Sequence, residues 1–325
     1  MNITLITGVA GFIGSNLAER LLLNGDTVIG IDNFISGSKA NIDRLSALKT
    51  EGHFEFHEFD VSDEKIIDFV MDKIPEGKLD QIYHLACPAS PIDFEKFGVE
   101  ILETCANGTM HILKIAEKTG ARFLYTSTSE VYGDPLEHPQ RESYLGNVNT
   151  LGPRSCYDEG KRFSESYIVH FCAKHNVDFR IARIFNTYGP YMRKDDGRVI
   201  PNFIEQIKHG KSLTIYGDGS QIRSFCYIDD MLDGLMKLMG HNFEQMAGTA
   251  DERVFNLGNP NGNTILGLAK ILIEITGATL NTIEMDLPKD DPKMRKPDIG
   301  KAESVLDFHP GIGLNDGLKK TLENW

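Results

Sequence analysis

Tyr157 and Lys161 stand four positions apart in the stretch SCYDEGK, Ser155 to Lys161. If that stretch is helical, both side chains leave one face a turn apart, and a phenol and an ammonium can act as a pair. A free phenol titrates near pH ~10, so a tyrosine that takes a proton from an alcohol at neutral pH needs roughly 4 kcal/mol of stabilisation of its anion. One positive charge about 4 Å away supplies about 1 kcal/mol in water but about 4 at a partly desolvated position. The pair is therefore useful only in a cleft, ideally with a second cation beside the phenol. Tyr-x-x-x-Lys alone usually marks two neighbours on an exposed helix, so the surrounding elements must decide.

Those elements alternate. Asn2–Thr7, Thr27–Asp32, His53–Asp60, Asp80–Ala86, Arg122–Thr128 and Asp178–Phe185 are strand-like, with helical patterns between them. FIGSNLAERLLLNG has apolar residues at helical spacing and closes on Asn24-Gly25, a helix-ending signal. Such alternation predicts an α/β fold, a doubly wound parallel Rossmann sheet with right-handed crossovers. Beyond Asn186 proline and glycine become frequent, as in NTYGPYM, IYGDGSQ and DLPKDDPKMRKP, and helices are expected near Asp229–Met239, Thr264–Thr276 and Asn315–Asn324. This predicts a dinucleotide-binding domain over 1–186, joined by about 226–258 because VFNLG (Val254 to Gly258) can return to the sheet. A smaller, discontinuous α/β substrate domain would take 187–225 and 259–325.

GVAGFIG lies between the first strand and the first helix, with Gly8, Gly11 and Gly14 around Phe12 and Ile13. Glycines there give a tight turn and bare N–H groups that let a pyrophosphate approach a helix N-terminus. The spacing is GxxGxxG, not the GxGxxG of the usual dinucleotide fingerprint. Asp32 ends the second strand, where a carboxylate accepts hydrogen bonds from an adenosine ribose and repels a 2′-phosphate, so NAD is expected over NADP. Asn33, Asp60, Val61, Leu85 and Ala86 fall at the carboxyl edge of the same sheet, the place for further cofactor contacts. Thr128, Ser129 and Glu130 end the fifth strand at that edge, so the Thr128 hydroxyl can meet Tyr157 over the nicotinamide. In that setting Tyr157 and Lys161 read as a hydride-transfer base and its tuner, and oxidised nicotinamide is the second cation.

The chain has 325 residues, 41% of them hydrophobic and 25% charged, and a formal net charge of -13. The acidic balance argues against nucleic acid as a partner and requires a local cationic cluster for any anionic ligand. No apolar run is long enough to span a membrane, and the strand that follows Met1 leaves no room for a leader, so a cytoplasmic protein is expected. Cys87, Cys105, Cys156, Cys172 and Cys226 form no CxxC or metal-ligand spacing, so reduced thiols and no metal are expected.

HLACPASP, TSTSEVYGDP, GPRSCYDEGKR, RIFNTYGP, DDGRV, YGDGSQIRSFCYIDD and RKPDI span nearly the whole chain. They resemble the extended short-chain dehydrogenase/reductase superfamily of nucleotide-sugar enzymes, and most closely its UDP-glucuronate decarboxylase (UDP-xylose synthase) family. The resemblance implies a retained NAD and catalytic roles for Thr128, Glu130, Tyr157, Lys161 and Arg295, the last near the sugar carboxylate. It implies conversion of UDP-glucuronate to UDP-xylose by oxidation at C4, loss of carbon dioxide and re-reduction. Pro88, Ser90 and Ser129 would face the sugar. Asn186, Arg193, Arg198, Lys208, Tyr216, Arg223 and Arg253 would supply cations and donors to UDP, with Arg223 foremost. A homodimer would form through a four-helix bundle from Phe94–Thr119 and Tyr157–His175. A 4-epimerase, a 4,6-dehydratase, a decarboxylase that releases the 4-keto pentose and a silent NAD-binding scaffold remain the alternatives. The dehydratase is disfavoured because Ser129-Glu130 stands where Asp-Glu is expected.

Overall fold

A computed structural model of the protein describes residues 1–74, 77–243, 250–278, 281–287 and 294–325. The central part of the proline-rich stretch near 290 lies outside these residues. The chain alternates as expected through β1 (Ile3–Thr7), α1 (Phe12–Leu23), β2 (Thr27–Asp32), α2 (Lys39–Ser46), β3 (His53–Glu58), α3 (Ile66–Lys73) and β4 (Gln81–His84). There follow α4 (Pro91–Lys96), α5 (Gly98–Glu103), a π-turn over Thr104–Gly108, α6 (Thr109–Thr119) and β5 (Arg122–Thr128). After a 3-10 turn at Ser129–Tyr132 come α7 (Ser155–His175), β6 (Phe179–Ile184), β7 (Thr187–Tyr188), α8 (Val199–Lys208), β8 (Leu213–Tyr216), β9 (Ile222–Ser224) and β10 (Cys226–Tyr227). The last elements are α9 (Ile228–Gly240), β11 (Val254–Leu257), β12 (Gly262–Thr264), α10 (Ile265–Thr276), β13 (Thr282–Met285), β14 (Met294–Arg295), α11 (Gly300–Leu306) and α12 (Leu314–Glu323).

Seven strands form one sheet in the order β11-β6-β5-β4-β1-β2-β3, and every pair in it is parallel. Val254–Leu257 does return to this sheet, beside β6. The winding reverses between β1 and β4, and a crevice opens at the carboxyl ends of strands at such a point. One buried apolar cluster lies under α1, α2 and α9 and continues into α8 and α10, and a second covers the face under α3, α6 and α7. Leu17, Leu21 and Leu22 of α1 are all but fully buried in the first, and burial of such a side chain contributes about 2 kcal/mol. α1 is thereby pinned with its N-terminus at the crevice.

The helix expected across Phe94–Thr119 is not continuous. It breaks at Phe97, between α4 and α5, and unwinds into the π-turn before α6. The extra residue of a π-turn shifts the helix face by part of a turn, and here it aims Cys105 and Gly108 inward.

Candidate active site

The crevice is a cavity of about 890 Å³ lined from both halves of the chain, within the size range of small-molecule sites. Its floor is the glycine turn. Gly8 has φ +75°, and a Cβ there would lie 2.8 Å from the Ala86 backbone nitrogen; a Cβ at Gly14 would collide with the Gly8 carbonyl. No side chain caps α1 at Gly11, so the first N–H groups of this helix stay available to an anion. The residues fit a dinucleotide: Gly8, Gly11, Phe12, Ile13 and Gly14 would hold its pyrophosphate, and Leu85 lines the same cavity.

Asp32 is buried. Its carboxylate accepts from the N–H of Ala10 (3.0 Å) and of Phe34 (2.8 Å). Burial pushes its carboxyl up against these two donors, so Asp32 organises the loop after β2. Asn33 donates to Asp60 at 2.9 Å. Although burial works the other way, donors from Ser62 and Asn33 hold the Asp60 carboxyl below its usual range. The Ala86 N–H donates to the Thr7 hydroxyl at 3.3 Å, and the Val61 carbonyl is hydrogen-bonded to His111 at 2.9 Å.

Tyr157 and Lys161 lie in the first turns of α7, both buried and both lining the cavity. The Phe94 ring stacks on the Tyr157 ring, centroids 5.0 Å apart. Burial pushes the phenol above its ordinary range, Cys87 adds to this, and a hydrogen bond with Thr128 pulls it down. The Lys161 ammonium donates to the Thr126 carbonyl at 2.8 Å, and it stands 5.8 Å from the centre of the Tyr157 ring and 4.6 Å from that of Tyr125.

Glu130 is neither a free carboxylate nor a loop ornament. Arg295 grips it through two bonds, Nη1 to Oε1 at 2.5 Å and Nη2 to Oε2 at 2.9 Å, and Arg154 donates to Oε1 at 2.6 Å. Against a burial that would raise it, the two guanidiniums hold the Glu130 carboxyl down at about 2. Glu130 therefore stays ionised at neutral pH. Arg154 was not singled out in the sequence, although a cation three residues before Tyr157 was the available signal.

The remaining candidates divide. Ser90, Ser129, Asn186, Arg193, Arg198, Tyr216 and Arg223 line the cavity, whereas Pro88 does not. Arg193 is paired to Asp93 at 3.0 Å, and Arg198 donates to the Ala89 carbonyl at 2.6 Å, tying the CPASP loop to the second half. Ser90 ties the same loop to the Asp196 carbonyl. Two expected UDP ligands lie elsewhere. Arg253 is bound to Asp178 (2.8 Å) and to the Phe179 carbonyl at the amino end of β6, the opposite edge of the sheet. Lys208 ends α8 on the exterior, donating to the Trp325 carbonyl at 2.9 Å.

A glycine cradle, a buried Tyr-Lys pair and a threonine at one crevice of a parallel sheet define an NAD-dependent enzyme of the Rossmann class. The chain belongs to the NAD dependent epimerase/dehydratase family, whose model matches residues 4–258. It is 46% identical over 315 residues to UDP-glucuronic acid decarboxylase 2 of Arabidopsis thaliana, covering 96% of this chain and 66% of that one. To decarboxylase 5 of the same plant it is 47% identical over 317 residues, covering 97% and 86%. Among solved structures it is similar to UDP-glucuronic acid 4-epimerase from Bacillus cereus, determined in complex with UDP-glucuronic acid and NAD. The TM-score is 0.85 and the identity 28%, covering 99% of this chain and 98% of that one.

Proposed function

We propose that the protein decarboxylates UDP-glucuronate to UDP-xylose with NAD. The observation that carries the reading is the acid–base pair at the cavity wall: the buried Tyr157 phenol, hydrogen-bonded with Thr128, lines the same cavity as the glycine turn. Such a pair suits removal of a proton from a sugar hydroxyl beside a dinucleotide. The likeness to proteins named UDP-glucuronic acid decarboxylase supports it.

When bound, NAD supplies a reversible hydride acceptor at sugar C4 and, while oxidised, a positive ring charge. Tyr157 takes the C4 hydroxyl proton, with the Thr128 hydroxyl holding the same oxygen. Oxidation there places a ketone β to the carboxylate, and the C5–carboxylate bond can then break. The electrons left behind are carried by the C4 oxygen as an enolate, which Tyr157 and Thr128 stabilise as hydrogen-bond donors; a proton taken up at C5 restores the ketone, and re-reduction at C4 with return of the Tyr157 proton to its oxygen gives UDP-xylose. Arg295, spent on Glu130, does not clamp the departing carboxylate, and this favours catalysis because a firm salt bridge would stabilise the ground state. The CPASP loop, tied down by Arg198 and Ser90, keeps water from the carboxylate. Asn186, Arg193, Tyr216 and Arg223 take the UDP end, with residues 187–225 and 259–325 as the substrate-binding part.

The same reading makes the protein a cytoplasmic homodimer. Five free cysteines suit a reducing compartment. Exposed Val99 and Leu102 on α5 and Phe163 on α7 suit a helical interface, although the break between α4 and α5 makes it less regular than two straight helices. Incubation with UDP-glucuronate, followed by NMR, tests the activity. UDP-xylose and carbon dioxide are expected; UDP-galacturonate with no carbon dioxide would assign a 4-epimerase, and a 4-keto pentose the truncated reaction.

A further inference from the structure

Cys87 and Cys105 carry thiols that the chemistry above does not use. Cys87 opens the CPASP loop after β4, is half-buried and lines the cavity, whereas Cys105 is buried on the π-turn. Eighteen positions apart in the sequence, their Sγ atoms lie 3.7 Å apart. Cys105 packs against α7 at Gly160, between Tyr157 and Lys161, where an added Cβ would lie 3.1 Å from its Sγ. One apolar cluster joins both thiols to Phe94 and Tyr157. Cys156, Cys172 and Cys226 do not line the cavity.

The two thiols are unequal. Contact with Cys87, helped by the Lys161 charge, holds the Cys105 thiol below its ordinary range against its burial, and the same contact, with burial, pushes Cys87 up. A proton is thus shared between two sulfurs in contact. Once one of them is oxidised, the other stands ready to displace the oxygen.

We propose that Cys87 and Cys105 form an oxidation site in the cavity wall, which a peroxide closes into a reversible disulfide that slows turnover. The Cys87 thiolate attacks the O–O bond of hydrogen peroxide: its sulfur becomes a sulfenic acid, and the leaving hydroxide takes up the proton that Cys87 gave up and departs as water. The Cys105 sulfur then displaces the sulfenic oxygen, which leaves as a second water with the Cys105 proton. The two thiols lose two electrons and two protons, and the peroxide is reduced to water. Bond formation brings the sulfurs from 3.7 Å to about 2.05 Å. Because Arg198 and Ser90 anchor the far side of the CPASP loop, this pull distorts the cavity wall beside Tyr157, and a displacement on the order of 1 Å costs about 10²-fold in rate. Only the slowing of turnover rests on the UDP-glucuronate reading.

The test treats the NAD-loaded protein with a small molar excess of hydrogen peroxide, then alkylates, digests and reads it by mass spectrometry, with free thiols titrated before and after dithiothreitol. A peptide joining Cys87 to Cys105 is expected, with loss of two of the five free thiols. Turnover of UDP-glucuronate should fall about tenfold or more and recover with the thiols on reduction. In Cys105→Ala the link should vanish, and Cys87 should instead carry a dimedone adduct, the mark of a sulfenic acid with no thiol to resolve it. Oxidised wild type without the Cys87–Cys105 peptide would overturn the proposal, as would turnover that falls with all five thiols intact. A link that leaves turnover unchanged would overturn its regulatory part. Should the variant not fold, the wild-type peptide and thiol titration decide. Absence of UDP-glucuronate turnover in the untreated protein would remove the substrate reading, while the peptide and the thiols still decide the oxidation site.

Discussion

Replacing Arg295 by alanine tests the charge architecture of the site. Arg295 is 5% exposed and Glu130 9%, and two of the three bonds to Glu130 come from this one guanidinium. Truncating one partner of a buried ion pair leaves the other desolvated and costs about 3–5 kcal/mol. Arg154 still neutralises part of the Glu130 charge, which places the expected loss near the lower limit, about 3 kcal/mol. For a chain of this size that lowers Tm by roughly 4 °C. Urea denaturation of wild type, Arg295→Ala, Glu130→Ala and the double variant closes a cycle. The double variant should be more stable than the sum of the two single losses predicts, by about 1–3 kcal/mol. Turnover of UDP-glucuronate by Arg295→Ala should fall much further than its retention of NAD, since the proposed function puts Arg295, which lines the cavity, on the sugar side. A single loss below about 1 kcal/mol, or additive effects, would refute the claim that these groups act as one buried unit.

Tyr157→Phe should retain NAD and lose about 10²-fold or more in turnover, the scale of a lost general base; activity close to wild type would remove Tyr157 from the chemistry. Gly14→Ala should abolish NAD retention, measured by absorbance of the extracted nucleotide, because the added methyl collides with the Gly8 carbonyl; Gly240→Ala, with open space around the site, should leave it unchanged. Glu130 lies at about 2 when folded against an ordinary 4.5. A carboxyl held down by folding adds stability above its unfolded value, so a contribution on the order of 3 kcal/mol is fully present above about pH 5 and drains away as pH falls toward about 2. Acid unfolding of Glu130→Gln should lack that part of the pH dependence.

The strands at Thr27–Asp32 and Arg122–Thr128 have the boundaries that their apolar runs predict, because a strand buried on both faces is written as a continuous apolar run. The cradle, Thr128 and the Tyr157–Lys161 pair were legible for a related reason: each sits at the end of an element whose direction the alternation of strand and helix already sets. The partners of Glu130 were not. Arg295 lies 165 positions away, and only the crossing of β14 over the crevice brings it there. Arg253 misled because a lone arginine in a sequence carries no sign of which sheet edge it faces. The π-turn before α6 was missed because VEILETCANGTMHIL keeps an apolar period through it, while the turn accompanies tertiary packing of Gly108 on Val61. The surroundings of Tyr157 were half legible: the spacing shows that Lys161 is close, but not that it also donates to the Thr126 carbonyl.

The central claim is a transient oxidation at C4 with Tyr157 as the acid–base group and with loss of the substrate carboxylate. The most direct measurement supplies the NAD-loaded protein with UDP-glucuronate deuterated at C4 and follows carbon dioxide and the sugar by NMR. The account predicts carbon dioxide and UDP-xylose with deuterium retained at C4. Deuterium washed out into solvent, or a product that keeps its carboxylate, would contradict it.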